Sequence, residues 1–337
     1  MNRTTLTSFL AAGGILLAGC DRSDRAATSG GDREIVIDGS STVAPISTVA
    51  AELFAESHPG IQVSVGTSGT GGGFKKFLDA DPRLRTDINN ASRPIKPAEI
   101  ERAREIGIEF IELPIALDGI AVVVNPRNDF CDHLTIAELR RIWAPDSRVT
   151  NWKDVRDGFP DLPLRLYGPG TDSGTFDYFT EAINGREKVS RSDYQKSEDD
   201  NVLVHGVSGD RGALVYFGFA YYEENRDKLK LLGVDAGEGP VRPSTATVRD
   251  GSYRPLSRPL FLYVNAEALN RPEITDFLTF YLDHARHIVE HPRVMYVALP
   301  DELYTAARTR IQKRITGTVF TQPASGPADL ASLYRER

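Results

Sequence analysis

Glycine, serine and threonine recur in one pattern at three places in this chain: DGSSTVAP (38–45), GTSGTGGGF (66–74) and LYGPGTDSGTFDYFTEAI (166–183). Each reads as a short strand or turn feeding a helix, and in the third Tyr178, Phe179 and Ile183 give the helix its apolar spacing. The first amides of a helix have no intrahelical partner, and the helix dipole is positive there. Small residues let an anion approach that backbone, while Ser173 and Thr175 bring hydroxyls. One such turn is an ordinary helix cap. Three of them predict a buried site for a small oxyanion.

The elements that must position these turns alternate along the chain. Strands are expected at 34–37, 61–65, 164–167, 213–217, 229–234 and 259–264, with helices at 43–57, 99–106, 134–143, 273–290 and 301–311. Residues 108–125 (IEFIELPIALDGIAVVVN) form two β-rich runs around Asp118-Gly119, and 120–124 is expected to be a buried, parallel-type strand. The break at Asp118-Gly119 suits a hinge, and 259–264 suits a second crossing between lobes. Ser197 is expected to cap a helix over 202–207. Residues 316–337, rich in Thr, Ser, Pro and Gly, are expected to be a loose tail. The predicted class is α/β, two doubly wound lobes joined by a two-segment hinge, with ligand turns after strand ends. The boundaries read as 34–118 plus 259–315 for one lobe and 119–258 for the other.

The 337 residues carry a net charge of −7, which argues against nucleic acid as a partner but not against a small anion held by backbone dipoles. Residues 1–20 read as a targeting segment: Arg3, an apolar run over 9–17 too short to span a bilayer, then Leu17-Ala18-Gly19-Cys20. That ending resembles the lipobox of bacterial lipoproteins, which implies lipidation at Cys20 and a location in the periplasm or on the cell surface, anchored to the membrane. Residues 21–33 would be a polar tether. Cys131 would then be the one remaining cysteine, so no intrachain disulfide is expected.

Six ordered blocks, DGSSTVAPI (38–46), GTSGTGGGFKKF (66–77), ASRPI (91–95), LDGIAVVVNP (117–126), YGPGTDSGTFDYFTEAI (167–183) and SEDDNVLVHGV (197–207), resemble the periplasmic phosphate-binding lipoproteins of high-affinity phosphate ABC importers. The resemblance implies a type II periplasmic-binding-protein fold that closes over one inorganic phosphate and delivers it to an ABC permease and its ATPase subunits. A monomer without cofactor is expected. Carried over by block, Ser41, Thr42, Val43 and Ser68 would hold phosphate from one lobe, and Ser173, Gly174 and Thr175 from the other. The best-known branch has an Arg shortly before its Ser-Gly-Thr turn, where this chain reads Gly168-Pro169, and an Asp after Ala-Ser, where it has Arg93. Arg93 is therefore expected to supply the guanidinium. The carboxylate that accepts the phosphate proton, and so excludes sulfate, is expected to be Asp118, with Asp172 and Asp38 as the other candidates.

Other readings are a binding protein for sulfate or molybdate, and a lipoprotein that only senses phosphate. An enzyme is disfavoured, because G-x-S-x-G, the P-loop, H-E-x-x-H and C-x-x-C are all missing. His284, His287 and His291 share a helix face, but a solvated face accounts for them better than a metal does, and no metal is expected.

Overall fold

In a computed structural model the chain is described at residues 34–171, 173–197, 199–320 and 330–335. Cys20 and Asp172 lie outside the described residues.

The first half alternates strand and helix: β1 (Glu34–Gly39), α1 (Ala44–Ser57), β2 (Gln62–Val65), α2 (Thr70–Phe77), β3 (Ile88–Ala91) and α3 (Pro97–Glu105). β1 lies between β2 and β3, parallel to both. β4 (Phe110–Val124) then leads out of this half. The second half contains β5 (His133–Thr135), α4 (Ile136–Trp143), β6 (Arg165–Pro169), α5 (Gly174–Asn184), β7 (Gln195–Ser197), α6 (Asp200–Gly209), β8 (Ala213–Gly218) and α7 (Phe219–Asn225). Short strands β9 (Lys230–Leu231), β10 (Gly233–Asp235) and β11 (Pro240–Val241) and helix α8 (Thr245–Arg249) complete it. β12 (Ser257–Asn265) returns to the first half, followed by α9 (Pro272–Asp283), α10 (Ala285–Val289), α11 (Asp301–Gln312) and α12 (Leu330–Arg335).

β4 organises the molecule. It is one strand of 15 residues, every one of them buried, and it runs straight through Asp118-Gly119. Residues Phe110 to Gly119 pair antiparallel with β12, and Ile120 to Val124 pair antiparallel with β8. The expected parallel strand at 120–124 is therefore antiparallel. Its unbroken apolar run reflects cover on both faces, which burial requires whatever the strand direction. Asp118 and Gly119 sit where the strand changes partners, opposite Arg258 and Ser257.

Three further expectations change. The helix read over 273–290 breaks at His284 into α9 and α10. Asp199, not Ser197, caps α6: its side chain accepts from the Asn201 amide, while Ser197 ends β7. The segment after 315 is pinned where it is described. Glu112, fully buried on β4, accepts from Tyr263 Oη (2.7 Å), Thr318 Oγ1 (2.5 Å), the Val319 amide (3.1 Å) and Tyr334 Oη (2.9 Å). Three of these four donors belong to the segment and hold it against the first half. No helix among the described residues is long and apolar enough to cross a membrane.

Candidate functional site

The first turn follows β1. The Ser40 carbonyl accepts from the Val43 and Ala44 amides (3.2 and 3.0 Å), and Ser40 Oγ accepts from the Thr42 amide at 3.2 Å. The amides expected to face an anion are thus folded into the Ser40 turn. Thr42 and Val43 are buried, and Pro45 opens α1, where its missing N–H costs nothing.

The third turn follows β6. Ser173 caps α5, its Oγ accepting from the Thr175 amide at 3.2 Å. Gly174 meets the first turn directly. A Cβ placed on it would lie 2.4 Å from Thr42 Oγ1 and 2.5 Å from the Thr42 amide nitrogen. Only glycine permits this approach, so the starts of α1 and α5, from opposite halves of the molecule, touch.

The second turn is engaged differently. Asp38 Oδ1 accepts from Ser68 Oγ (2.5 Å) and the Ser68 amide (3.1 Å), and Lys76 Nζ contacts Oδ2. Burial raises the Asp38 pKa, but the Lys76 and Ser68 bonds outweigh it and hold the carboxyl below its ordinary range. Asp38 therefore positions Ser68 and pairs with the half-exposed Lys76, and the Ser68 hydroxyl proton points at it.

A cleft of about 1100 Å³ opens beside these turns, lined by Ser41, Ser68 and Arg93 from one half and Asp177 and Lys188 from the other. Thr42, Val43, Asp118, Ser173, Gly174 and Thr175 are not part of the lining. Arg93 reaches this cleft, but its fork grips Glu99, with Nη1 to Oε2 at 2.9 Å and Nη2 to Oε1 at 2.8 Å. Nη1 also donates to the Pro94 carbonyl at 3.0 Å, and the guanidinium lies 5.5 Å from the Phe74 ring centre. The expected guanidinium is thus near the site but already neutralised.

Asp118 is 1% exposed, and neither carboxylate oxygen has a hydrogen-bond partner in the protein. Arg258, across the β4–β12 pair, brings Nε to 3.5 Å from Oδ2, an ion pair too long to be a hydrogen bond. Its Nη2 donates to Thr42 Oγ1 at 3.1 Å, and its Cζ lies 3.6 Å from the centre of the Tyr178 ring. Burial pushes the Asp118 carboxyl above its ordinary range, with Arg258 pulling against that shift. The sequence reading missed both Arg258 and Tyr178. Arg258 stands one residue before the apolar run read as a strand, and nothing local marks it as facing Asp118. Tyr178 reads only as an apolar position on a helix.

The PBP superfamily domain matches residues 24–284, more than half of the chain. The chain belongs to the PBP superfamily. This PBP-superfamily chain is 50% identical over 289 residues to protein SphX of Synechococcus elongatus, covering 85% of its own length and 83% of the relative's. It is 38% identical over 299 residues to the phosphate-binding protein PstS of Staphylococcus saprophyticus, covering 88% and 90%. A crystal structure described as a possible phosphate binding protein from Planctomyces limnophilus superposes with a TM-score of 0.78 at 45% identity, covering 84% of this chain and 98% of that one. The mixed α/β architecture, with two lobes crossed by β4 and β12, is that of these periplasmic-binding-protein structures.

Proposed function

We propose that this chain binds inorganic phosphate where its two lobes meet and passes it to an ABC-type permease and its ATPase subunits for import. The observation that carries the reading is the Asp118 carboxylate: buried, without a hydrogen bond, ion-paired only at 3.5 Å with Arg258, and linked through Arg258 to Thr42 at the contact between two helix starts. A buried carboxylate without donors is costly, so its natural complement is a ligand that arrives with a proton. Phosphate near neutral pH carries at least one. Sulfate and molybdate, fully ionised there, bring none and meet only repulsion. The names of the relatives point the same way.

In this reading Ser41, Thr42 and Val43 hold the anion from one lobe and Ser173, Gly174 and Thr175 from the other. Ser68 borders it, and Asp118 takes its proton. The first lobe comprises 34–118 plus 259–315 and the second 119–258. The chain acts as a binding protein and not a phosphatase, as a monomer held in the periplasm or at the cell surface by lipid on Cys20.

Calorimetric titration of the chain lacking residues 1–20 tests this. One phosphate per chain is expected, with sulfate at equal concentration failing to compete. Tighter binding of sulfate or molybdate would make the protein a carrier of another oxyanion, and no heat with any of the three would remove the reading.

A further inference from the structure

We infer that Arg258, not Arg93, is the cation that grips the bound anion, and that it does so from the hinge itself. This rests on the phosphate reading above and names a residue that neither the turns nor the family blocks contain.

Arg258 and Asp118 are cross-strand neighbours on the two strands that pass between the lobes. From that position the Arg258 side chain, one-tenth exposed, touches both lobes at once. It donates to Thr42 Oγ1 just before α1 and sits over the Tyr178 ring in the second turn of α5. Tyr178 is itself fixed, its hydroxyl donating to the Pro255 carbonyl at 2.6 Å. A guanidinium is suited to this seat: it stacks on an aromatic face through its plane and keeps its N–H groups in that plane for oxyanion oxygens. Lysine offers neither feature.

The unmade bonds indicate what is missing. Arg258 Nε and both Asp118 oxygens are buried without hydrogen-bond partners, although only 3.5 Å separates Nε from Oδ2. Were the pair present only to neutralise two charges, closing that gap to hydrogen-bond distance would be the low-energy arrangement. An anion carrying a proton completes both residues together, its P–OH donating to Asp118 and its bare oxygens accepting from Arg258. Arg93 has no such vacancy, because both prongs of its fork already meet Glu99.

The test is phosphate titration of Arg258→Lys, Arg258→Gln, Arg93→Ala, Asp118→Asn and the Asp118→Asn/Arg258→Gln double variant, each checked for a cooperative melt. Both Arg258 substitutions are expected to weaken binding on the order of 10²- to 10³-fold, as for truncating one partner of a buried charge contact. The double variant separates the two roles while leaving no lone buried charge. If Arg258 touches phosphate, the double variant binds much more weakly than Asp118→Asn alone. If Arg258 serves only as counter-ion to Asp118, the double variant matches Asp118→Asn and the inference falls. It falls equally if Arg258→Lys binds like the parent protein while Arg93→Ala takes the loss. A parent protein that binds no phosphate overturns the functional reading first, and this assignment with it.

Discussion

At the scale of single residues, the role proposed for Asp118 makes the choice of anion depend on a proton, so pH should retune it. Asp118 is held above its ordinary pKa chiefly by burial, and the groups facing it are Arg258 from β12 and Tyr178 from α5. Above that raised pKa Asp118 is a carboxylate and repels sulfate. As pH falls through it, Asp118 becomes a donor and the repulsion disappears. Sulfate affinity in the parent protein should therefore rise as the pH is lowered through that raised pKa. Asp118→Asn should bind sulfate with a flat profile across the same range. Parallel profiles for the two proteins, followed by calorimetry, would move the discriminating group elsewhere. Asp118 was legible in the sequence because a charged residue beside glycine interrupts a run of β-branched and apolar side chains. Arg258 was not, because its meaning depends on which residue the sheet register sets opposite it, 140 positions earlier in the chain by the pairing Arg258↔Asp118. The partner of Arg93 was not legible either: Glu99, six residues on in the expected helix, takes its fork.

At the scale of elements, the feature that matters is one helix start pressed against another. The Ser-Gly-Thr turn and the Ser-Ser-Thr turn were both legible, since each combines small residues, a cap and apolar spacing behind it. Their contact was not, because it depends on how two halves of a sheet fold across a shared strand. Gly174→Ala should separate these starts: its new methyl carbon would fall 2.4 Å from Thr42 Oγ1 and 2.5 Å from the Thr42 amide nitrogen. Overpacking of this kind costs roughly 1–3 kcal/mol, and if bound phosphate holds the two starts together the bound form carries most of it. Phosphate binding should weaken by about 5- to 150-fold, the same energy expressed as a ratio, while the melting temperature without phosphate changes little. Phosphate titration together with a ligand-free thermal melt checks both halves of the statement. An unchanged affinity would mean that the two helix starts are not in contact when phosphate is bound. The segment after 315 carries a related lesson. Its composition reads as loose, yet Glu112 holds Thr318, Val319 and Tyr334. A buried carboxylate deep in an apolar strand was the available signal, and the four donors it required were supplied from more than 150 positions away.

At the scale of the whole molecule, β4 makes the two halves one mechanical unit, and phosphate seated between them should stabilise residues far from the site. Cys131 reports this. It is buried in the second half, its thiol pushed up to about 12, chiefly by burial, so it should react with thiol reagents only when the structure opens. In a chain lacking residues 1–20 it is the sole cysteine, since the full sequence has two. One core cluster includes Ile35 and Ile37 of β1, Ile111, Leu113 and Ile120 to Val124 of β4, Cys131 itself and Tyr216 of β8, so exposing the thiol should disrupt packing that both lobes share. A ligand that binds only the intact form then slows labelling in proportion to its occupancy. At a hundred times Kd the stabilisation is about 2.7 kcal/mol, or close to a hundredfold in rate. Labelling of Cys131 followed against phosphate concentration should trace that dependence, and the Arg258→Gln curve should be displaced to higher phosphate by its loss of affinity. A labelling rate indifferent to phosphate, in a protein that calorimetry shows to be saturated, would mean that Cys131 is exposed by a local opening. The shared strand would then join the lobes without coupling their stability, and closure over phosphate would have to be understood as the docking of two independently stable bodies.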